Sequence, residues 1–253
     1  VNFDKSFLAS IKSLSSLGIL DISNRIGLIS KMFIDFIIQA WIPEFMTNAN
    51  KGEKNKIVEN YRQIIFFFGI FIFLLSLFSK ELLWILTSEE FYIAKSYIPL
   101  ICLSVFINHL FTLVASPSIT YAKKLQKNFI PSIVALISSI ILNIILVPVY
   151  GVLGVIISMI FSGFFSGYLL FNSSQKSFKL NISNYFIIKN IVTLTFFISS
   201  VYILNYIKIS YLYEFIIKIL LIIIFIKFSL DKDLNLNEFK TKFKSYFFAL
   251  LSR

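Results

Sequence analysis

Residues 129–171 form an almost wholly apolar run of 43 residues whose centre is broken by the pentapeptide VPVYG at 147–151. A bilayer's hydrocarbon core is about 30 Å thick and is crossed by about 20 helical residues at about 1.5 Å each. The run is therefore too long for one crossing and well matched to two. Pro148 removes a backbone donor and Gly151 opens the conformations needed for reversal, so a tight hairpin between two crossings is expected there. A single kinked helix is the competing reading, and it would break the alternation of charge described below. Because lipid tolerates only segments whose backbone groups are satisfied internally, this one feature points to an all-α, polytopic membrane class.

Five further blocks share the pattern, at 18–45, 63–78, 94–115, 185–207 and 211–228, and with 129–148 and 151–171 they make seven expected crossings. Composition agrees: the chain is 57% hydrophobic and only 15% charged, against about 25% charged in a soluble domain. Residues 1–17 lack the basic flank and clean apolar core of a signal peptide. They read as the end of a preceding crossing leading into an outside turn near SSLG at 15–18, which with the opening Val1 implies a piece of a larger protein. The expected organisation is this partial first helix, a seven-helix bundle over 18–228, and a cytoplasmic tail over 229–253. In the tail Phe239, Phe243, Phe247 and Leu250 recur at helical spacing beside Lys240 and Lys244, as in an amphipathic helix on a membrane surface; a loosely ordered basic tail is the alternative.

The gaps between blocks alternate in charge. Lys51, Lys54, Lys56 and Arg62 follow the first block, Lys123, Lys124 and Lys127 the third, and Lys176 and Lys179 the fifth. The gap at 80–95 instead holds three Glu against two Lys, and VPVYG has no charge. Under the positive-inside rule the basic gaps and the C-terminus face the cytoplasm, and a bacterial inner-membrane location is expected. The net charge of +11 is thereby explained by topology rather than by nucleic acid. Trp41 and Trp84 fall near block ends, which suits interfacial anchoring. The single cysteine, Cys102, forms no internal disulfide. One His and one Cys make no zinc cluster, no GxxxxGK[ST] loop is present to hold a nucleotide, and no Ser/His/Asp grouping is legible. Transport without a cofactor or metal is the expected class, rather than catalysis.

The first block is the most polar. At about 100° per residue, Asp21, Asn24, Arg25, Leu28, Lys31, Met32, Asp35 and Gln39 share one face, opposite Ile22, Ile26, Ile29, Phe33, Phe36 and Ile37. Such a face in a crossing meets a wet cavity or polar partners. Asp21 with Arg25 and Lys31 with Asp35 are spaced to neutralise each other. Two readings stand: a charged lining that accommodates an anionic substrate group, or self-satisfied pairs that hold the bundle together. His109, mid-helix beside Asn108, is a packed hydrogen-bonder or a proton carrier. Asn143 is expected to bond across helices. Glu214 and Lys218 form another pair, read as structural, and Gly163, Ser166 and Gly167 offer a small face for close packing.

The stretch LNIILVPVYGVLGVIIS, preceded by YAKKLQKNFIPSIVALISS, resembles the C-terminal half of bacterial polysaccharide flippases of the multidrug/oligosaccharidyl-lipid/polysaccharide transporter superfamily. Asn143, Pro148, Tyr150, Gly151 and Gly154 occupy that pattern. Asp4 with Lys5 looks like the family's acidic opening of a crossing, and QAWIPEF at 39–45 is similar to a family helix end, with Glu44 as the odd member. Leu20 and Asp21 depart from the Tyr-containing turn usual after Gly18. The resemblance implies the second lobe of a two-lobed, alternating-access bundle of roughly 12–14 helices, with the first lobe as a missing partner. It implies movement of undecaprenyl-pyrophosphate-linked oligosaccharide from the cytoplasmic to the outer leaflet for surface polysaccharides such as lipopolysaccharide, beside glycan polymerase and assembly proteins. Arg25 and Lys31 would then meet pyrophosphate or acidic sugars, with Asp21, Asp35, Gln39 and Asn24 completing the cavity wall. His109, Asp21 or Asp35 would take part in ion coupling. A multidrug or metabolite cation antiporter of the same fold, a peptidoglycan-precursor flippase and a non-transporting scaffold of a glycan assembly complex are the alternatives. The balanced lining, two acids and two bases, favours the sugar-lipid over the cation.

Overall fold

The computed structural model describes residues 3–11, 14–207 and 210–230, and every regular element among them is helical. The expected tail helix lies outside the described residues. In chain order the α-helices are α1 (Phe3–Ile11), α2 (Leu14–Asn50), α3 (Lys54–Leu77), α4 (Ser79–Leu86), α5 (Ile98–Tyr121), α6 (Phe129–Tyr150), α7 (Val152–Gln175), α8 (Asn184–Tyr206) and α9 (Tyr211–Ser229). Short 3₁₀ segments, Glu89–Ser96 and Leu125–Asn128, lead into α5 and α6. Six helices, α2, α3 and α5 to α8, are long and apolar enough to cross a membrane. α9, expected as a further crossing, is not among the six; it carries Glu214, Lys218 and Lys227 within 19 residues. The chain is thus an all-α, multi-span membrane bundle.

The hairpin at VPVYG is present. α6 runs through Pro148 to Tyr150, Gly151 takes φ 56° and ψ −124°, and α7 begins at Val152. A left-handed φ is strained for any residue with a Cβ, so this position favours glycine. Gly154 then brings the two helices together: a Cβ there would fall 2.5 Å from the Leu146 carbonyl oxygen. The turn between α2 and α3 uses the same chemistry. Gly52, at φ 75°, sits beyond the α2 end while Glu53 N–H donates to Asn48 O at 2.9 Å, closing the last carbonyls of the helix. Just beyond it, Lys56 lies 2.9 Å from Glu53 and holds its carboxyl below the usual range.

Three expectations are corrected. SSLG is not a turn but the first helical turn of α2. The apolar residues that precede Asp21 continue its periodicity, and Leu20 is fully buried. QAWIPEF does not end a helix, since α2 passes through Pro43 to Asn50. A proline sacrifices one helical hydrogen bond, and here Trp41, Phe45 and Ala49 are buried on the core side of this stretch. Trp41 is accordingly no interfacial anchor but wholly inside, edge-on to Phe45 at 5.4 Å. Trp84, by contrast, is 72% exposed.

α5 is the hub. Most of its residues are buried, and it packs against α2, α3, α7 and α8. Two glycines permit close approach: a Cβ on Gly27 would meet Ile101 at 2.5 Å, and one on Gly167 would meet Phe111 at 2.9 Å. Aromatic stacking fills the far side, with Phe68 on Phe106 at 5.7 Å and Phe73 on Phe225 at 4.7 Å. A second cluster joins Leu8 of α1 and Leu20 of α2 to Val147, Val152, Val155 and Ile156 of the hairpin. α6 buries little beyond Pro131, Asn143 and Val147, and presents Leu136, Ile137, Ile141 and Ile144 outward. In lipid that exposure has no hydrophobic cost.

Candidate functional site: the polar face of α2

α2 turns Ser23, Ile26, Gly27, Ser30 and Ile34 toward the bundle, where the Ser30 hydroxyl lies 3.8 Å from the Cys102 sulfur. Its polar face therefore points away from the core. Arg25, Leu28, Lys31, Met32 and Gln39 are exposed, and Asp21, Asn24 and Asp35 are partly so. Nothing in the described residues covers this stripe. Ile29 and Phe36, from the apolar side of the helix, are exposed beside it at 40% and 45%.

Of the two spaced pairs, one forms. Asp21 does meet Arg25, but only at 3.7 Å, while Lys5 of α1 makes the shorter ion pair to the same carboxylate. Asp21 thereby ties α1 to α2 and leaves Arg25 77% exposed. Lys31 makes no ion pair with Asp35 among the described residues. Asp35 turns instead to α5, where its Oδ1 lies 3.7 Å from Nε2 of His109. The other ring nitrogen, Nδ1, lies 2.8 Å from the Val105 carbonyl oxygen. A carbonyl only accepts, so Nδ1 carries the proton. In the neutral ring Nε2 then faces the carboxylate lone pair to lone pair. The sequence places His109 and Asp35 on separate helices 74 residues apart, and no local signal joins them.

Other predicted residues are structural. Asn143 is fully buried and donates to the Ser139 carbonyl at 2.9 Å, one turn back on its own helix. Glu214 and Lys218 do pair, at 3.0 Å, but within a larger network. Lys80 reaches Glu214 at 3.1 Å, and Lys218 also binds Glu81, which joins α4 to α9. Sequence spacing could not find these partners, which lie more than 130 residues away. A second feature missed is an uncharged cleft of about 260 Å³ between α5, α6 and α7, lined by Thr112, Ser116, Asn128, Ser132 and Ser166. Among the described residues no group of three His, Cys, Asp or Glu could hold a metal.

No protein-family model matches the chain, and no curated protein or solved structure shows significant similarity to it.

Lys31 and Asp35 sit near the middle of α2, and each residue advances the helix about 1.5 Å. A charge at that depth in lipid costs about 2.5–3.5 kcal/mol on insertion scales. With Arg25 included, an all-lipid setting would cost roughly 8–10 kcal/mol. That is as large as the whole stability of many proteins, so charges held near the bilayer centre are expected to meet water or another polypeptide surface rather than acyl chains.

Proposed function

We propose that the bundle is one lobe of an alternating-access membrane transporter, and that the open polar face of α2 lines the path of its cargo. The observation that carries this reading is the uncovered stripe from Asp21 to Gln39, with mixed charge at mid-helix depth. A facing lobe would enclose the stripe as a hydrated channel. Arg25 and Lys31, neither held tightly by a carboxylate, are the groups to receive an anionic headgroup, and Asn24 and Gln39 would bond its polar remainder. Asp35 with His109, and Asp21 with Lys5, are the candidates for coupling to an ion gradient.

The resemblance through Asn143, Pro148, Tyr150, Gly151 and Gly154 supplies the cargo: undecaprenyl-pyrophosphate-linked oligosaccharide, moved to the outer leaflet of a bacterial inner membrane, with the C-terminus cytoplasmic. Partners on this reading are a first lobe, bilayer lipids and the glycan polymerase and assembly proteins. The test is mass spectrometry of lipid-linked saccharides from cells lacking the full-length gene, beside cells carrying it or its Arg25→Gln/Lys31→Gln variant. Build-up of the carrier-linked oligosaccharide in the deletion, and partial build-up in the variant at equal protein level, is expected. Unchanged lipids with intact surface glycan would remove the cargo. Normal flux in the variant would remove the lining role and leave a scaffold.

A further inference from the structure

A second cleft lies at the other end of α5 from Lys123, Lys124 and Lys127, where α4, the Glu89–Ser96 segment and the start of α9 meet. It holds about 380 Å³ and is lined by Lys80, Glu81, Leu83, Trp84, Tyr92, Lys95 and Tyr211. Four charges beside it are spent on each other, in the order Lys80, Glu214, Lys218, Glu81. Two groups are left over. Lys95 has no carboxylate within 4.0 Å among the described residues. Glu81 gives one oxygen to Lys218, but its Oε2 is buried with no hydrogen-bond donor. A buried carboxylate oxygen without a donor is costly and rare in folded proteins, so a missing donor is expected to come from outside the chain.

The surroundings say what kind of molecule brings it. Trp84, Ile85, Leu86, Ile93, Tyr211 and Leu212 are all more than half exposed around this end of the bundle. An aromatic and aliphatic collar of that kind lies at the level of lipid headgroups. The cleft thus combines one unspent cation, one unspent acceptor and an acyl-compatible rim. We propose that it is a binding site for a zwitterionic phospholipid bearing a primary ammonium, of the phosphatidylethanolamine class. Lys95 takes the phosphate, and a turn of the Glu81 carboxylate, whose residue lines the cleft, brings the buried Oε2 to the ammonium that supplies its missing hydrogen bond. A trimethylated headgroup has no N–H to give, and a glycerol headgroup can offer a hydroxyl donor but brings no positive charge to the carboxylate. The nearby Glu89 and Glu90 further disfavour a purely anionic lipid.

The chain has two tryptophans, and Trp41 is wholly buried, so quenching by a brominated-chain lipid reads Trp84. The purified chain in detergent is titrated with brominated phosphatidylethanolamine, phosphatidylcholine or phosphatidylglycerol, with native mass spectrometry of the retained lipid in parallel. Phosphatidylethanolamine should bind at least about 10-fold more tightly than the other two. Lys95→Gln should erase about 10-fold of that affinity with unfolding temperature unchanged, and Glu81→Gln should abolish the preference over phosphatidylcholine. Should Glu81→Gln fail to fold, Lys95→Gln alone decides, because Lys95 makes no ion pair among the described residues. Equal binding of all three lipids, preference for phosphatidylglycerol, absence of quenching, or an unaffected Lys95→Gln would each overturn the assignment.

Discussion

Gly154 and Gly163 lie on the same helix, yet alanine should act on them with opposite signs. At Gly154 a Cβ would sit 2.5 Å from Leu146 O, 2.6 Å from its carbonyl carbon and 2.9 Å from Val147 N. All three are backbone atoms of α6, so no rotamer change relieves the clash. Restoring an ordinary carbon contact of about 3.5 Å needs about 1 Å of separation in a hairpin whose turn at Gly151 has no slack. Overpacking of this kind costs about 1–3 kcal/mol, against a gain of about 0.8–1.0 kcal/mol from replacing helical glycine. At Gly163 the nearest atom is Asn108 Nδ2 at 3.7 Å, an ordinary contact, so the propensity gain stands alone. Gly154→Ala should therefore lose up to about 2 kcal/mol and Gly163→Ala should gain about 0.8–1.0 kcal/mol. At about 2–4 °C per kcal/mol for a chain of this size, the two unfolding temperatures should lie several degrees apart on either side of the parent. The single cysteine, Cys102, is fully buried in the hub helix, so labelling by a thiol-reactive dye during a thermal ramp reports unfolding without an added probe. If both substitutions shift the transition the same way, the close approach of α6 and α7 at Leu146 is not what places glycine at 154.

Further outcomes can be checked in the same purified protein. Lys218→Met should cost about 3–5 kcal/mol, because it strands Glu81 and leaves the buried Glu214 with Lys80 alone; adding Glu81→Gln should recover part of that loss in the thermal assay. Tyr61→Phe removes a buried hydroxyl that donates to the Leu110 carbonyl, and should cost about 0.5–1.5 kcal/mol. Arg25→Gln, at a mostly exposed site, should stay within about 0.5 kcal/mol of the parent, so any loss of export in cells would be a loss of function rather than of folding. Glu53 titrates low because of Lys56, so its contribution is present above the ordinary carboxylate range and lost as the pH falls through the depressed value. Lys56→Gln should raise that midpoint, as read by carboxyl NMR.

The α6–α7 hairpin was legible because its causes are local. An apolar run twice the length of a crossing, with Pro148, Gly151 and Gly154 at its centre, leaves the chain one economical path. The composition of the long blocks likewise determined the helical membrane class, since lipid allows few alternatives. Helix ends were less legible. Pro43 signals a stop by backbone chemistry alone, and only the burial of Trp41 and Phe45 in the assembled core explains why α2 continues. The polar face of α2 could be drawn from its spacing, but its pairing could not. Lys31 and Asp35 are four residues apart, yet Asp35 meets His109 because α5 passes beside it. Asp21 meets Lys5 because α1 folds back. Lys80 and Glu81 join Glu214 and Lys218 across most of the chain for the same reason. Periodicity depends on neighbours within one or two turns, whereas an ion pair depends on which helices pack. That choice is made by summed burial around α5, through contacts such as Gly27 on Ile101 and Gly167 on Phe111, and it exists only in the tertiary structure.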